Sequence, residues 1–402
     1  MLCRRKVGGL GGYGPLLHAS AVVLVWTLGS GALWFVLPQV AFGIVGNVAV
    51  VGLLLAVPSL VAAFFDLPVG DLTDRVGERR VLSFGLIALA FLGLGIVFLG
   101  NAIGLAFFLV LLGAFYPMIY VPIMSYVMGI SPNRKSSEYL GVEMSFLHGG
   151  FALGPVILGL LLYLGYGMLG VVSALFTVCS VSALILVTAW FKERGRGESL
   201  AHGVRDVVVK DGLFLKELLD YRKLKSAGSA ILAVTFLFTF YDGAVWLLVP
   251  LYYGMFTPDP LVGGIIMSSF VLPLVLFEFH GGWLADRFGR RNMLVLGMAA
   301  AGVFTVAFSL ATDVTGLFVA GFLATCGLAL AWPSVQGVLA VKSGSEGRSG
   351  IVGVWSSSRD FGYMVGPIGA GVLGGLVGLS GVFAALGVLL LASIGLALFV
   401  EE

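Results

Sequence analysis

Twelve stretches of about twenty mainly apolar residues follow one another along this 402-residue chain, at roughly 16–38, 46–69, 80–99, 103–129, 138–162, 166–191, 228–252, 261–283, 292–311, 315–341, 349–373 and 378–400. Each is long enough to cross the hydrocarbon of a bilayer as a helix, because about 20 residues at 1.5 Å rise span it. Such a pattern leaves little freedom. In lipid every backbone N–H and C=O needs an internal partner, so a run of this kind is a transmembrane helix. Composition agrees: 59% of residues are hydrophobic and only 11% charged, with a mean hydropathy of +1.06. A soluble domain carries about 25% charge.

Lys and Arg test the count. They sit at the N-terminus (Arg4, Arg5, Lys6), between the second and third spans (Arg75, Arg79, Arg80), and between the fourth and fifth (Arg134, Lys135). They recur in the segment after the sixth span, between the eighth and ninth (Arg287, Arg290, Arg291), and between the tenth and eleventh (Lys342, Arg348). The intervening connections carry none. The positive-inside rule then expects both termini and the long middle segment in the cytoplasm, with the protein multi-pass in the plasma membrane. The basic N-terminus before an apolar run mimics a signal peptide. The run is longer than a typical h-region and ends in no small-residue cleavage site, so it reads as a retained first span.

The chain also repeats itself. Gly70-Asp71-Leu72-Thr73-Asp74-Arg75-Val76-Gly77-Glu78-Arg79 returns as Gly282-Trp283-Leu284-Ala285-Asp286-Arg287-Phe288-Gly289-Arg290-Arg291, 212 residues on. The same shift carries Trp34 and Pro38 onto Trp246 and Pro250. It also carries Gly150, Gly154, Pro155 and Gly159 onto Gly362, Gly366, Pro367 and Gly371. An even number of spans separates the copies, so they run parallel, related by an axis along the membrane normal. The expected organisation is a six-helix bundle over 1–191, a linker over 192–227 with a surface amphipathic helix, and a second bundle over 228–402.

The loop motif resembles the hallmark of the major facilitator superfamily of transporters, G-x-L-x-D-R-x-G-R-R. The first copy has Glu78 where the family has a basic residue. Gly150-x-x-x-Gly154-Pro155 on the fifth helix looks like the antiporter motif of the drug-exporting branches, and the eleventh helix repeats it. The resemblance implies the all-α fold of that superfamily, twelve helices in two pseudo-symmetric bundles. It further implies that Asp74 and Asp286 face the start of a helix in the opposite half, the eleventh and fifth respectively, and latch the cytosolic side shut. Independently, Gly77 and Gly289 permit a tight turn, and a carboxylate suits a helix N-terminus. The arginine-bearing motif that exporters often carry on the fourth helix is missing, since that helix has neither Arg nor Lys.

A charge far from water costs about 2.5 kcal/mol or more, so it faces a cavity or a partner. Asp242 lies about mid-depth on the seventh helix, where its repeat equivalent is Ser30. It reads as a substrate or proton site, or as the partner of Arg359 on the eleventh helix. Arg359 and Asp360 are adjacent and point about 100° apart, so each is expected to need its own partner. His148, the equivalent of Asp360, suits a proton shuttle or a single hydrogen bond to a neighbour. Glu143 is shallower and is expected to reach the interface. Asp66 and Glu278, equivalent positions just inside the loop motifs, are expected to support the contact between halves. Trp34, Trp246, Tyr120, Trp332 and Gln336 complete a partly apolar cavity, on helices that line the pore in the family the chain resembles. Aromatic rings there suit an organic cation.

Other classes fit less well. No H-E-x-x-H, G-x-S-x-G or P-loop appears, so neither a membrane enzyme nor ATP-driven transport is expected. Cys3, Cys179 and Cys326 lack metal-ligand spacing, and neither metal nor cofactor is expected. No basic stripe points to nucleic acid. The expected activity is proton-coupled export of small amphipathic organic compounds by a monomer. The alternatives are a proton-coupled importer of a nutrient or organic anion, with Arg359 as the anion site, and a non-transporting sensor.

Overall fold

The computed structural model describes residues 14–131, 136–191, 229–342 and 348–400, and within these it is helical with no strand. The first half comprises α1 (Gly14–Val45), α2 (Val48–Val76), α3 (Glu78–Gly95), α4 in two pieces (Ala102–Phe115 and Pro117–Ile130), α5 (Ser136–Tyr163) and α6 (Met168–Trp190). The second comprises α7 (Ser229–Tyr252), α8 in two pieces (Pro260–Ser269 and Leu272–Phe288), α9 (Arg290–Ser309) and α10 (Val314–Lys342). A continuous stretch, Arg348–Ala392, ends it. Helicity breaks inside that stretch at Gly378, where φ is +76°, a conformation open to glycine and costly for other residues. The two arms are α11 (348–377) and α12 (379–392). Among the described residues eleven helices are long and apolar enough to cross a membrane, and the last, Ser358–Ala397, runs 40 residues, enough for two crossings. The architecture is therefore the expected twelve-helix one. The amphipathic helix expected in 192–227 lies outside the described residues.

Prolines sit inside α1, α2, α5, α7, α10 and α11, at Pro38, Pro58, Pro155, Pro250, Pro333 and Pro367 among others. In water each would tend to end its helix. In a membrane bundle, neighbouring helices re-satisfy the freed backbone groups. Large side chains such as Phe91, Phe98, Ile103, Phe107 and Val178 are exposed, as a lipid-facing belt requires and a soluble surface would not tolerate.

The duplication is written in the packing. A Cβ at Gly150 would stand 2.0 Å from Thr27 Oγ1 and 2.6 Å from the Leu24 carbonyl. A Cβ at Gly362 would stand 2.0 Å from Thr239 Oγ1 and 2.6 Å from the Phe236 carbonyl. Gly154 and Gly366 continue each seam, against α1 and α7. Close contacts of small residues are how helices associate where lipid removes the hydrophobic driving force. The same geometry joins the halves: Gly264 of α8 lies on the Pro155 carbonyl of α5, and Gly52 of α2 on the Pro367 carbonyl of α11. Gly159 meets Pro260, and Gly371 meets Val48. Every one of these partners is related by the 212-residue shift. Ser268 adds a hydrogen bond across the α5–α8 seam to the Ala152 carbonyl, and Phe35 stacks on Tyr253 at 5.8 Å. These contacts sit away from the motif loops, so the bundles are closed on that side.

Overpacking a seam costs about 1–3 kcal/mol. Gly150→Val and Gly362→Val are each expected to lower the melting temperature of purified protein in detergent. Gly43→Val, where a Cβ meets nothing within 4 Å, is expected to melt with the wild type.

Candidate functional site

At the motif loops, Gly77 and Gly289 adopt φ of +106° and +91°, so one glycine suffices to turn α2 into α3 and α8 into α9. The basic residues then brace their own half. Arg79 Nη2 donates to the Thr188 carbonyl at 2.8 Å. Arg290 donates to the Gly337 carbonyl at 2.9 Å and to Asp286 Oδ1 at 3.0 Å. Arg287 lies 5.3 Å from the Trp283 ring centre. Glu78, where the second copy has Arg290, has no such donors to offer. Asp286 is 70% exposed and is bonded by Arg290 of its own loop. Asp74 is also exposed. With Asp66, Gly70 and Asp71 it lines a cavity of about 330 Å³ between α2 and α4. The side chains that begin α5 and α11, the expected docking points of the two aspartates, lie outside the described residues. Gly282 precedes Asp286 by one turn, with room around it; Arg75 is the equivalent of Arg287, and Arg291 that of Arg79.

Deeper in, α7 and α11 lie side by side. Ser358 Oγ donates to the Leu232 carbonyl, and one turn further Tyr363 donates its hydroxyl proton to Asp242 Oδ2 at 3.0 Å. Trp246 lies one turn on from Asp242 along α7. Trp246 meets Phe151 of the first half edge-on at 5.5 Å. Arg359 does not take the place expected of it. Its Nε and Nη2 both donate to Asp360 Oδ1 at 3.0 Å, and its guanidinium lies 5.7 Å from the centre of the Tyr120 ring.

The expected Asp242–Arg359 pair is thus corrected, and so is the expectation that Arg359 and Asp360 cannot meet. Two physical reasons apply. Asp242 lies well beyond the level of Arg359, because Ser358 meets Leu232 and Gly366 meets Phe240, so the long Tyr363 side chain, one turn on, reaches it instead. Moreover, the 100° rule describes where side chains start, and the flexible stem of an arginine is long enough to bend back across it.

A second buried group lies where α5 of the first half meets α8 of the second. His148 Nδ1 is 3.1 Å from Glu278 Oε2. Asp66, the equivalent of Glu278, acts through space on Arg359, so both seams carry charge at the same level. Glu143 corrects another expectation. Rather than reaching the interface, it is 1% exposed, because the register of α5 turns it inward, within electrostatic reach of His148 and Glu278.

Trp34 belongs to a neighbouring group, donating to the Tyr116 hydroxyl at 3.2 Å, with Trp26 packed on the same ring at 4.8 Å. Trp332 is 6.1 Å from Phe238. Gln336 adjoins Gly337, close to the motif loops and away from Asp242. The cluster therefore gathers Asp242, Trp246, Tyr363, Arg359, Asp360 and Tyr120. Tyr363 and Tyr116 are not singled out by the sequence. The available signal was spacing: Tyr363 is one turn from Arg359, and Tyr116 one turn from Tyr120.

A family model described as Major Facilitator Superfamily matches residues 19–257 and 231–402. The tetracycline resistance protein, class E, of Escherichia coli is 21% identical over 364 residues, covering 88% of this chain and 86% of the relative. The multi-drug resistance efflux pump PmrA homolog of Lactococcus lactis is 24% identical over 341 residues, covering 83% and 80%. The crystal structure of the nucleoside transporter NupG superposes with a TM-score of 0.73 at 14% identity, covering 96% of this chain and all of that one.

Breaking one side of a buried charge pair leaves the other charge uncompensated, at a cost on the order of 3 kcal/mol. Asp360→Ala is therefore expected to lower the melting temperature more than the double variant Arg359→Gln/Asp360→Asn, measured on the same purified protein.

Proposed function

The chain belongs to the major facilitator superfamily, and from that premise we propose that it exports small amphipathic organic cations in exchange for protons. The coarser statement needs no proposal: a multi-pass membrane protein with transporter relatives along most of its length is a transporter of small molecules, not an enzyme.

One observation carries the finer reading. Asp242 is a carboxyl deep in the bundle whose hydrogen-bond donor, Tyr363, is neutral, and the basic group that acts on it through space, His148, lies against Glu278. The arginine expected as its partner, Arg359, is engaged by Asp360. An unneutralised carboxylate in a medium of low dielectric favours either a proton or an organic cation. The rings of Trp246 and Phe151 beside it favour a cation with apolar surface. A proton and a substrate cation competing for one carboxyl is the minimal arrangement for exchange. The same engagement of Arg359 weighs against an organic anion as cargo.

Orientation supports the export reading. The distribution of Lys and Arg assigns the motif loops to the cytoplasm. The packed glycine seams hold the opposite side together, while Asp74 and Asp286 are exposed and Asp74 lines a cavity. This arrangement receives cargo from the cytoplasm, and rocking of one bundle against the other would deliver it outside. The names of the two efflux and resistance relatives are in keeping with that direction.

Proteoliposomes with the membrane potential clamped at zero test the reading. Tetraphenylphosphonium is expected to accumulate on the acidic side of an imposed pH gradient, and a protonophore to abolish the gain. Asp242→Asn should reduce accumulation about ten-fold, the equivalent of ~1.4 kcal/mol. Accumulation on the alkaline side would instead mark a symporter.

A further inference from the structure

We infer that the first half of the protein holds the other end of the cargo: Tyr116 and Ser30, with Trp26 behind them, form a neutral hydrogen-bond-donating subsite for a carbonyl, ester or ether oxygen of the organic cation whose charge rests on Asp242. The inference rests on the cation reading above and narrows its substrate class to cations that carry a hydrogen-bond acceptor.

The 212-residue shift locates the subsite. It carries Ser30 onto Asp242, Trp34 onto Trp246 and Phe151 onto Tyr363. In the second half the Tyr363 hydroxyl donates to Asp242. In the first half the same position is Phe151, which has no proton to give, so Ser30 lacks that partner. Ser30 is fully buried, and among the described residues its hydroxyl has no hydrogen bond. The Trp26 indole N–H, one turn back on the same face of α1, is equally buried and equally unmatched. Trp34, one turn on, donates its N–H to the Tyr116 hydroxyl at 3.2 Å. The Tyr116 side chain spans all three. Trp26 packs on its ring at 4.8 Å, and Ser30 lies close to its hydroxyl without hydrogen-bond alignment. Among the described residues no aligned acceptor takes the proton of Tyr116 itself.

What this group lacks is therefore an acceptor. A buried donor left unmatched costs more than a made bond contributes, so an oxygen brought by cargo gains there. An ammonium or phosphonium has no lone pair for these donors, which leaves the charge to the Asp242 side. A neutral oxygen needs no counter-charge, whereas a buried carboxylate would. The two half-sites are contiguous. Gly31, next to Ser30, lies against the backbone of Phe151. Phe151 meets Trp246 edge-on at 5.5 Å, and Trp246 is one turn from Asp242. Trp34, Tyr116, Phe151, Trp246 and Asp242 are all partly exposed, with Ser30 and Trp26 sealed behind them. A cargo laid along this path meets donors, then two aromatic rings, then a carboxylate. α4 is interrupted at Tyr116, where Pro117 begins its second piece. The ring therefore stands on a break in the helical ladder, and its hydroxyl is the donor a cargo oxygen reaches first.

Displacement of labelled tetraphenylphosphonium from the purified full-length protein in lipid nanodiscs, at one pH, tests this with two probes. One is triphenylphosphonium bearing a hexyl chain; the other has a chain of the same length ending in a methyl ester. The hexyl probe is the more apolar, so partition into lipid favours it. The ester probe is nonetheless expected to displace the label at about ten-fold lower concentration, the equivalent of ~1.4 kcal/mol. Tyr116→Phe is expected to bring that ratio down to about one, and Ser30→Ala to reduce it. Ser30→Ala should also melt no lower than the wild type, because it removes a buried hydroxyl that has no bond to lose. Three results would overturn the inference: a wild-type ratio of about one, a ratio that Tyr116→Phe or Ser30→Ala leaves intact, or a large fall in the melting temperature of Ser30→Ala. The cation reading fails separately. If Asp242→Asn weakens both probes while the wild-type ratio is about one, the carboxylate holds the cation and the donors of the first half serve structure alone. If the wild type binds neither probe, the cation reading falls and this inference with it.

Discussion

Ionised side chains placed where lipid excludes water are the constraint on which the rest of this structure depends. The bilayer gives them no solvation, so each must be matched inside the protein or neutralised. The chain solves this locally and unevenly. Arg359 is answered by Asp360 beside it, and Glu278 by His148 across the seam. Asp242 has the neutral Tyr363 as its donor, Glu143 has no hydrogen-bond partner among the described residues, and His148 faces Glu278 at ion-pair distance without hydrogen-bond alignment. The unevenness is informative. Satisfied pairs hold helices in register, whereas unsatisfied carboxyls are where a mobile cation gains most by binding.

Glycine supplies the complementary constraint. Lipid tails compete with apolar side chains on equal terms, so helices here are joined by backbone contact rather than by hydrophobic burial. The seams at Gly150 and Gly362 fix α5 to α1 and α11 to α7 within each half. Those at Gly52 and Gly264 bring the halves together on the side away from the loops. The charged seam groups lie on the same helices, closer to the loops. One pair of helices, α5 and α8, therefore carries both a smooth glycine contact and a bridge of titratable groups. Any relative motion of the bundles must slide the first and disturb the second.

The loop motifs show how a duplicated element diverges under the same fold. Both glycines turn with positive φ, so the backbone requirement is retained in each copy. The side chains differ: Arg290 ties its helix to α10 and to Asp286, and Glu78 cannot. Both loops are braced within their own half, by Arg79 and by Arg290, and the first also borders an acidic cavity.

Span number, duplication and the family were legible in the sequence, because membrane insertion reads local hydropathy and loop charge, and because a 212-residue shift aligns whole motifs. The depth of Asp242 was legible for the same reason, since helical rise is uniform. Partner choice was not. Whether Asp242 meets Arg359 or Tyr363 turns on one helical pitch, which depends on how α7 and α11 slide against each other. Whether Glu143 reaches the surface or is sealed depends on the rotation of α5, which its glycines set by docking on α1. Linear spacing determines the level of a residue in the membrane; only the packed bundle decides its azimuth and offset, and hence its partner.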